Sequence, residues 1–214
     1  DLDALDAAGQ ATRTHGGATA TGRVSFEFSF LTRVRELETE KREIAEHAAA
    51  LVHHGQSVML DSGTTTLAVA RALRSHSGIT VITTSLPVAS ELQFQAGIDV
   101  LLLGGYLRSG SPDLSGGLTE RNLEALRADV AFVGADAVDT DGAVYNNSVD
   151  LVPVLARMAA SARSVYVVAD HSKLGRVGLM QFGTVNRWDG LITDSAADQS
   201  VVEALEQSGV TVVR

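Results

Sequence analysis

The chain has 214 residues with a hydrophobic fraction of 45%, which fits one large domain with a sizeable core and excludes a disordered polymer. Lys and Arg number 17 against 26 Asp and Glu, so the formal charge is −9 and a basic, polyanion-coating protein is excluded. Cysteine is absent, which removes disulfide scaffolds, thiol catalysis and thiolate zinc sites and agrees with a reducing cytoplasm as the expected location. The longest apolar runs, at 100–103 and 165–168, are strand-sized, so neither a signal peptide nor a membrane span is expected.

Residues 1–35 carry little periodic apolar pattern beyond Leu2 and Leu5 and read as a short helix, a turn at Gly16-Gly17 and an extended arm. A helix is predicted over 36–54, because Leu37, Ile44, Ala48 and Leu51 share one face, Glu38 and Arg42 form an i,i+4 pair, and Gly55 supplies a stop. SVML at 57–60 reads as a short strand that runs through Asp61-Ser62-Gly63-Thr64-Thr65-Thr66 into a helix carrying Leu67, Ala70 and Leu73. The unit recurs. ITVITT at 79–84 leads to Ser85 as a helix N-cap with Pro87 in the first turn, and IDVLLL at 98–103 ends at Gly104-Gly105. A Gly- and Ser-rich loop over 104–117 precedes a helix through Leu123 and Leu126, and DVAFVGA at 129–135 is a further strand before a turn at 140–142. A helix over 149–162, SVYVVAD at 164–170, GLITD at 190–194, a helix over 196–208 and VTVV at 210–213 complete the alternation. Nearly continuous apolar strands alternating with helices predict an α/β fold with a mostly parallel sheet covered on both faces.

Ligands of open parallel sheets bind outside the carboxyl ends of the strands. Five polar turns sit at such ends: Asp61 to Thr66; Thr83, Thr84 and Ser85; Gly104 and Gly105; Gly134, Ala135 and Asp136; and Asp170 to Lys173. The first has the composition of an anion cradle. Its glycine permits close backbone approach, its hydroxyls donate, and the helix that follows offers unpaired N–H groups. Taken alone it reads equally as a capping turn; agreement among five strand ends favours a site. No GxxxxGK[ST] or GxGxxG motif is present, which disfavours nucleotides. Lys173 and Lys41 are the two lysines of the chain, and Lys173, just beyond a strand, suits an anion as a point charge. His47, His53 and His54 lack ligand spacing, so no metal is expected; His171 sits on the proposed rim; no GxSxG elbow supports a hydrolase.

The sequence resembles the C-terminal sensor domain of DeoR-family transcriptional regulators. The matching stretches are EK at 40–41 with IA at 44–45, LDSGTTT at 60–66, TTSLPVA at 83–89, LLLGG at 101–105, FVGAD at 132–136 and DHSKLGR at 170–176, in collinear order. Residues 1–9 with Arg13 to Ala18 resemble the end of a recognition helix and the wing of that family's N-terminal winged helix-turn-helix, most of which is not in this sequence. The resemblance therefore implies a remnant of a DNA-binding domain over 1–18, a linker over 19–35 and an effector-binding sensor over 36–214. It also implies a bacterial repressor of sugar or polyol catabolism, acting on operator DNA as a homodimer or homotetramer and binding a phosphorylated sugar without a further cofactor. The fold expected from it is similar to ribose-5-phosphate isomerase, with phosphate roles falling on Ser62 to Thr66 and Lys173.

Those isomerases carry a DGADE-like acidic motif, and here the corresponding stretch is Val133-Gly134-Ala135-Asp136-Ala137, so only Asp136 remains acidic. Enediol chemistry needs a carboxylate base near a carbon-bound proton, so binding without turnover is expected, with an isomerase-like enzyme as the alternative. Asp61, Asp136 and Asp170 are the carboxylates expected to hold sugar hydroxyls. In Asn146-Asn147-Ser148-Val149-Asp150, where an acidic pair is usual in the family, Asp150 stands alone.

Overall fold

The structure, a computed structural model, describes residues 11–14, 17–20, 30–107 and 111–214; the expected helix end over 1–9 and the middle of the expected arm lie outside the described residues. Strands β1 (Ala11–Thr14) and β2 (Gly17–Ala20) pair antiparallel. Residues 30–35 are helical, and the chain then turns through Leu37 at φ 50°, the one non-glycine residue in the left-handed region among the described residues.

Beyond that turn lie α1 (Glu38–Ala50), β3 (Ser57–Leu60), α2 (Thr64–Ala72), β4 (Ile79–Thr83), α3 (Leu86–Leu92) and β5 (Ile98–Leu102). A short hairpin of β6 (Tyr106–Leu107) and β7 (Leu114–Ser115) leads to α4 (Gly117–Glu124), β8 (Ala128–Gly134), β9 (Ala137–Val138) and β10 (Ala143–Asn146). The remainder is α5 (Val152–Ala160), β11 (Ala162–Val168), β12 (Met180–Thr184), β13 (Gly190–Ile192), α6 (Gln199–Gln207) and β14 (Val212–Val213).

Seven strands form one sheet in the order β14-β13-β11-β8-β3-β4-β5, and every neighbouring pair is parallel. The two-residue period of the strands sorts their side chains into two cores. Val58, Leu60, Val130 and Phe132 pack beneath α1, α2 and α3, whereas Met59, Ala131 and Val133 pack on the opposite face with α4, α5 and α6. Phe132, fully buried, stacks on Tyr166 with ring centroids 6.0 Å apart, and removing such a ring costs about 3–5 kcal/mol.

The α/β sheet with helices on both faces is as the sequence predicts, with five differences, the first being that the end of the expected extended arm, 30–35, is helical. The helix expected over 36–54 is shorter, because the left-handed Leu37 interrupts the helical path before Glu38 and the chain leaves the helix at Leu51. β5, expected as a strand of a sheet covered on both faces, is an edge strand with Leu101 and Leu102 exposed. The loop expected over 104–117 contains the β6–β7 hairpin. A second sheet, β12-β10-β9, was not legible in the sequence; its strands pair antiparallel, and Val138, Val144 and Phe182 join the α4–α6 core.

Candidate functional site

From β3 the chain proceeds outward to β4 and β5, then returns to the other side of β3 as β8 and continues to β11 and β13. Loops leaving β3 and β8 therefore diverge, and a crevice opens between them at the carboxyl end of the sheet. A cavity of about 640 Å³ occupies this point, a size suited to a small organic ligand.

The turn after β3 supplies one wall through Ser62, Gly63, Thr64 and Thr65. Gly63 is the N-cap of the nine-residue α2 and no side chain caps that terminus. The amides of the first helical turn have no intrahelical acceptor by geometry, so they and the Thr64 hydroxyl are donors for an anion. Asp61, which also lines the cavity, is engaged within the protein. Its carboxylate is buried and accepts hydrogen bonds from Gly63 N (2.9 Å), Thr66 Oγ1 (2.5 Å) and Gly134 N (2.8 Å). It thus ties the cradle to the end of β8. Burial pushes its pKa above the ordinary carboxylate value, against the pull of those three hydrogen bonds.

β8 contributes Gly134, Ala135 and Asp136 to the cavity wall, and β11 is followed by Asp170, Ser172 and Lys173. Asp136 accepts from Asn147 N (2.9 Å), and Asp170 accepts from Ser172 N (3.1 Å) as the cap of a short 3-10 turn. Each carboxylate keeps further acceptor positions. Lys173 has no ion pair or side-chain hydrogen bond among the described residues, so its ammonium group is available to a ligand. His171, by contrast, turns from the cavity: its Nδ1 lies 2.8 Å from Oδ1 of the buried Asp194.

Six of the residues expected to line the site lie beneath or beside it. Thr66 is fully buried and donates to Asp61. Thr83 donates to the Leu60 carbonyl (2.7 Å) and accepts from Ser85 N (3.1 Å), joining the ends of β3 and β4. The Thr84 carbonyl accepts from Leu114 N (2.9 Å), and Ser85 caps α3 by accepting from Val88 N (3.3 Å). Gly104 O accepts from Thr119 Oγ1 (3.0 Å) and Asn122 Nδ2 (3.2 Å). Gly105 is glycine for packing: a Cβ there would lie 2.0 Å from Thr119 Oγ1.

Several cavity residues lie outside the expected set, although the stretch 146–150 stood out in the sequence for its missing acidic partner. Asn146 at the end of β10 and Asn147, Ser148 and Asp150 beyond it form one side; Asp113, buried beside the β7 strand, and Tyr106 lie on another. Most consequential is Lys41. It is 5% exposed on the inner face of α1, and its Nζ donates to Glu36 O (2.6 Å) and to Arg33 O. Burial holds its ammonium group below the usual lysine range, with Asp170 and Lys173 both close enough to act on it. The arm itself closes the cavity through Phe30, Arg33, Glu36 and Leu37. The signal for Lys41 was present: it falls on the stripe formed by Leu37, Ile44, Ala48 and Leu51.

Among the described residues no cluster of three or more His, Cys, Asp or Glu side chains is placed to hold a metal, and no helix is long and apolar enough to cross a membrane.

Residues 36–195 match the DeoR C-terminal sensor domain. The chain is 36% identical to the HTH-type transcriptional regulator GlpR of Haloferax volcanii over 100% of this chain and 83% of that protein. It is 33% identical to the HTH-type transcriptional repressor GlcR of Bacillus subtilis over 100% of this chain and 82% of the relative. Among solved structures, eIF2B beta from Chaetomium thermophilum superposes with a TM-score of 0.52 at 18% identity, covering 81% of this chain and 54% of that one, which bears on the fold alone.

Proposed function

The chain belongs to the DeoR family of transcriptional regulators, and from that premise we propose that the cavity between β3 and β8 binds a phosphorylated sugar or polyol whose occupancy controls DNA binding. The observation that carries the reading is the pairing of an uncapped α2 N-terminus and its Ser-Gly-Thr-Thr turn with the available Lys173 ammonium, all on one cavity wall system. A phosphate dianion meets backbone donors, hydroxyls and a point charge there, while Asp136, Asp170 and the Asn146–Asn147 side face the remainder of the cavity, where hydroxyls of a polyol would be held. Residues 36–214 act as sensor, residues 19–35 as the arm, and residues 1–18 as part of a DNA-reading domain; operator DNA and a second copy of the chain are the partners this arrangement serves.

Binding rather than turnover is the reading for the sugar. Asp136 is held by Asn147 N, Asp61 is consumed by internal hydrogen bonds, and the chain carries Val133 and Ala137 on either side of Gly134–Asp136. Both carboxylates thus serve the protein's own backbone, which favours holding a ligand over abstracting a carbon-bound proton. Calorimetric titration of the whole chain with triose, pentose and hexose phosphates and their unphosphorylated sugars tests the reading. Binding of at least one phosphate ester, with the parent sugar bound much more weakly and no interconversion seen by NMR, is expected; equal binding of ester and parent sugar would remove the anion cradle from the account.

A further inference from the structure

The left-handed turn at Leu37 joins the helical segment 30–35 to α1, and a cavity residue holds it. Lys41 reaches back five and eight residues to donate to the Glu36 and Arg33 carbonyls, which lie at the carboxyl end of that segment, where helices leave acceptors unpaired. Leu37 is a non-glycine residue in a conformation that L-residues disfavour, so the turn persists because something beyond its own preference keeps it. The Lys41 bonds are the polar contribution to that restraint, and burial of Phe30, with Val34 packed against the α1–α2 core, is the apolar one.

We propose that Lys41 is the positioning residue through which occupancy of the cavity reaches the arm: an anionic ligand draws its ammonium group from the Arg33 and Glu36 carbonyls and so loosens the cap of segment 30–35. This rests on the phosphate-ester reading of the cavity. The exchange is favourable in chemistry. An ammonium bonded to phosphate is charge-assisted from both partners, whereas the carbonyls it leaves are neutral, and a buried cation gains from a dianion placed beside it. The neighbouring Lys173 raises the cost of two uncompensated cations in one cavity, and an anion between them relieves it. Phe30 stays seated, so the segment pivots on its apolar anchor rather than leaving the sensor. Because segment 30–35 is joined to residues 1–29, any reorientation at 30–37 is passed toward them.

Hydrogen exchange read by mass spectrometry on the whole chain tests this, with ribose 5-phosphate, fructose 6-phosphate, glycerol 3-phosphate and inorganic phosphate as probes and calorimetry run alongside. The informative amide is Glu36 N, bonded to Thr32 O at 3.0 Å. A bound ester is expected to speed exchange over 33–37 at least threefold while β3 and β8 are unchanged or slowed. In the ligand-free protein Lys41→Met is expected to raise exchange over 33–37 to a similar extent and to abolish the response to ester, whereas Lys173→Ala weakens ester binding and leaves ligand-free exchange at 33–37 as in wild type. An ester that binds by calorimetry yet leaves 33–37 unchanged or slower overturns the coupling and spares the binding reading. Absence of binding by every probe overturns both. Unchanged ligand-free exchange in a folded Lys41→Met protein overturns the coupling whatever binds.

Discussion

Replacing Asp61 by alanine should destabilise the sensor through the loss of a tie between two strands. The carboxylate receives Gly63 N at 2.9 Å, Gly134 N at 2.8 Å and the Thr66 hydroxyl at 2.5 Å. Thr66 retains an alternative acceptor in Gly63 O at 2.9 Å, so two backbone N–H groups are left without one. An unsatisfied donor costs about 1–3 kcal/mol, which gives about 2–6 kcal/mol for the pair. Removing a buried carboxylate also removes a desolvation cost, the same cost that raises its pKa, and Gly63 and Gly134 are only half-buried, so the net loss falls at the lower end, about 2–3 kcal/mol. Urea denaturation at neutral pH reads this as a fall in midpoint of about 1 M for a slope of about 2–3 kcal/mol/M. Asp61→Asn, which keeps an acceptor for Gly63 and Thr66 but turns an NH₂ group toward Gly134 N–H, should lie between wild type and alanine. A shift below about 0.3 M for alanine would refute the view of Asp61 as the tie between cradle and β8.

Gly105→Ala should destabilise the protein by at least about 1 kcal/mol, because its Cβ meets Thr119 Oγ1, and Thr119→Ala in the same chain should recover part of that loss in a double-mutant cycle; strict additivity would contradict the clash. Lys173→Ala should weaken phosphate-ester binding about 10- to 150-fold, as expected for a hydrogen bond to a charged group, with thermal unfolding unchanged, whereas Thr64→Val should weaken it about 5-fold; calorimetry with unchanged affinity in both would move the anion elsewhere. Burial lowers the Lys41 pKa from 10.5, so the charged form disfavours folding. Folding stability of wild type relative to Lys41→Met should therefore rise as pH increases through the lowered value toward 10.5; a difference that stays flat over that window would contradict the burial.

The central sheet was legible because its strands are short apolar runs separated by turn chemistry, and the position of the site followed from where those runs end. SVML, DVAFVGA and SVYVVAD each place a polar turn at one end of a parallel sheet, so the convergence of Ser62–Thr65, Gly134–Asp136 and Asp170–Lys173 was available from order alone. What was hidden depended on contacts far apart in sequence. The antiparallel sheet pairs Ala143–Asn146 with Met180–Thr184, and neither segment has the apolar continuity of SVML or ITVIT. Thr83, Ser85 and Gly105 have the composition of binding residues, but their donors and acceptors are used by Leu60, Val88 and the Thr119 side, which only the folded arrangement reveals. Lys41 was passed over for the opposite reason. In GluLysArgGlu a lysine suggests a solvated helix face, yet its spacing from Leu37, Ile44 and Ala48 places it inward, and an inward lysine needs acceptors, here the carbonyls of Arg33 and Glu36.

The most direct examination of the account is a crystal structure of the whole chain grown with a phosphate ester that calorimetry has shown to bind. The ester phosphate should lie within hydrogen-bond reach of the Ser62–Thr65 turn and the Lys173 ammonium, with its hydroxyls toward Asp136, Asp170 and Asn147. Ester density in a different cavity, with the crevice between β3 and β8 filled by water, would contradict it.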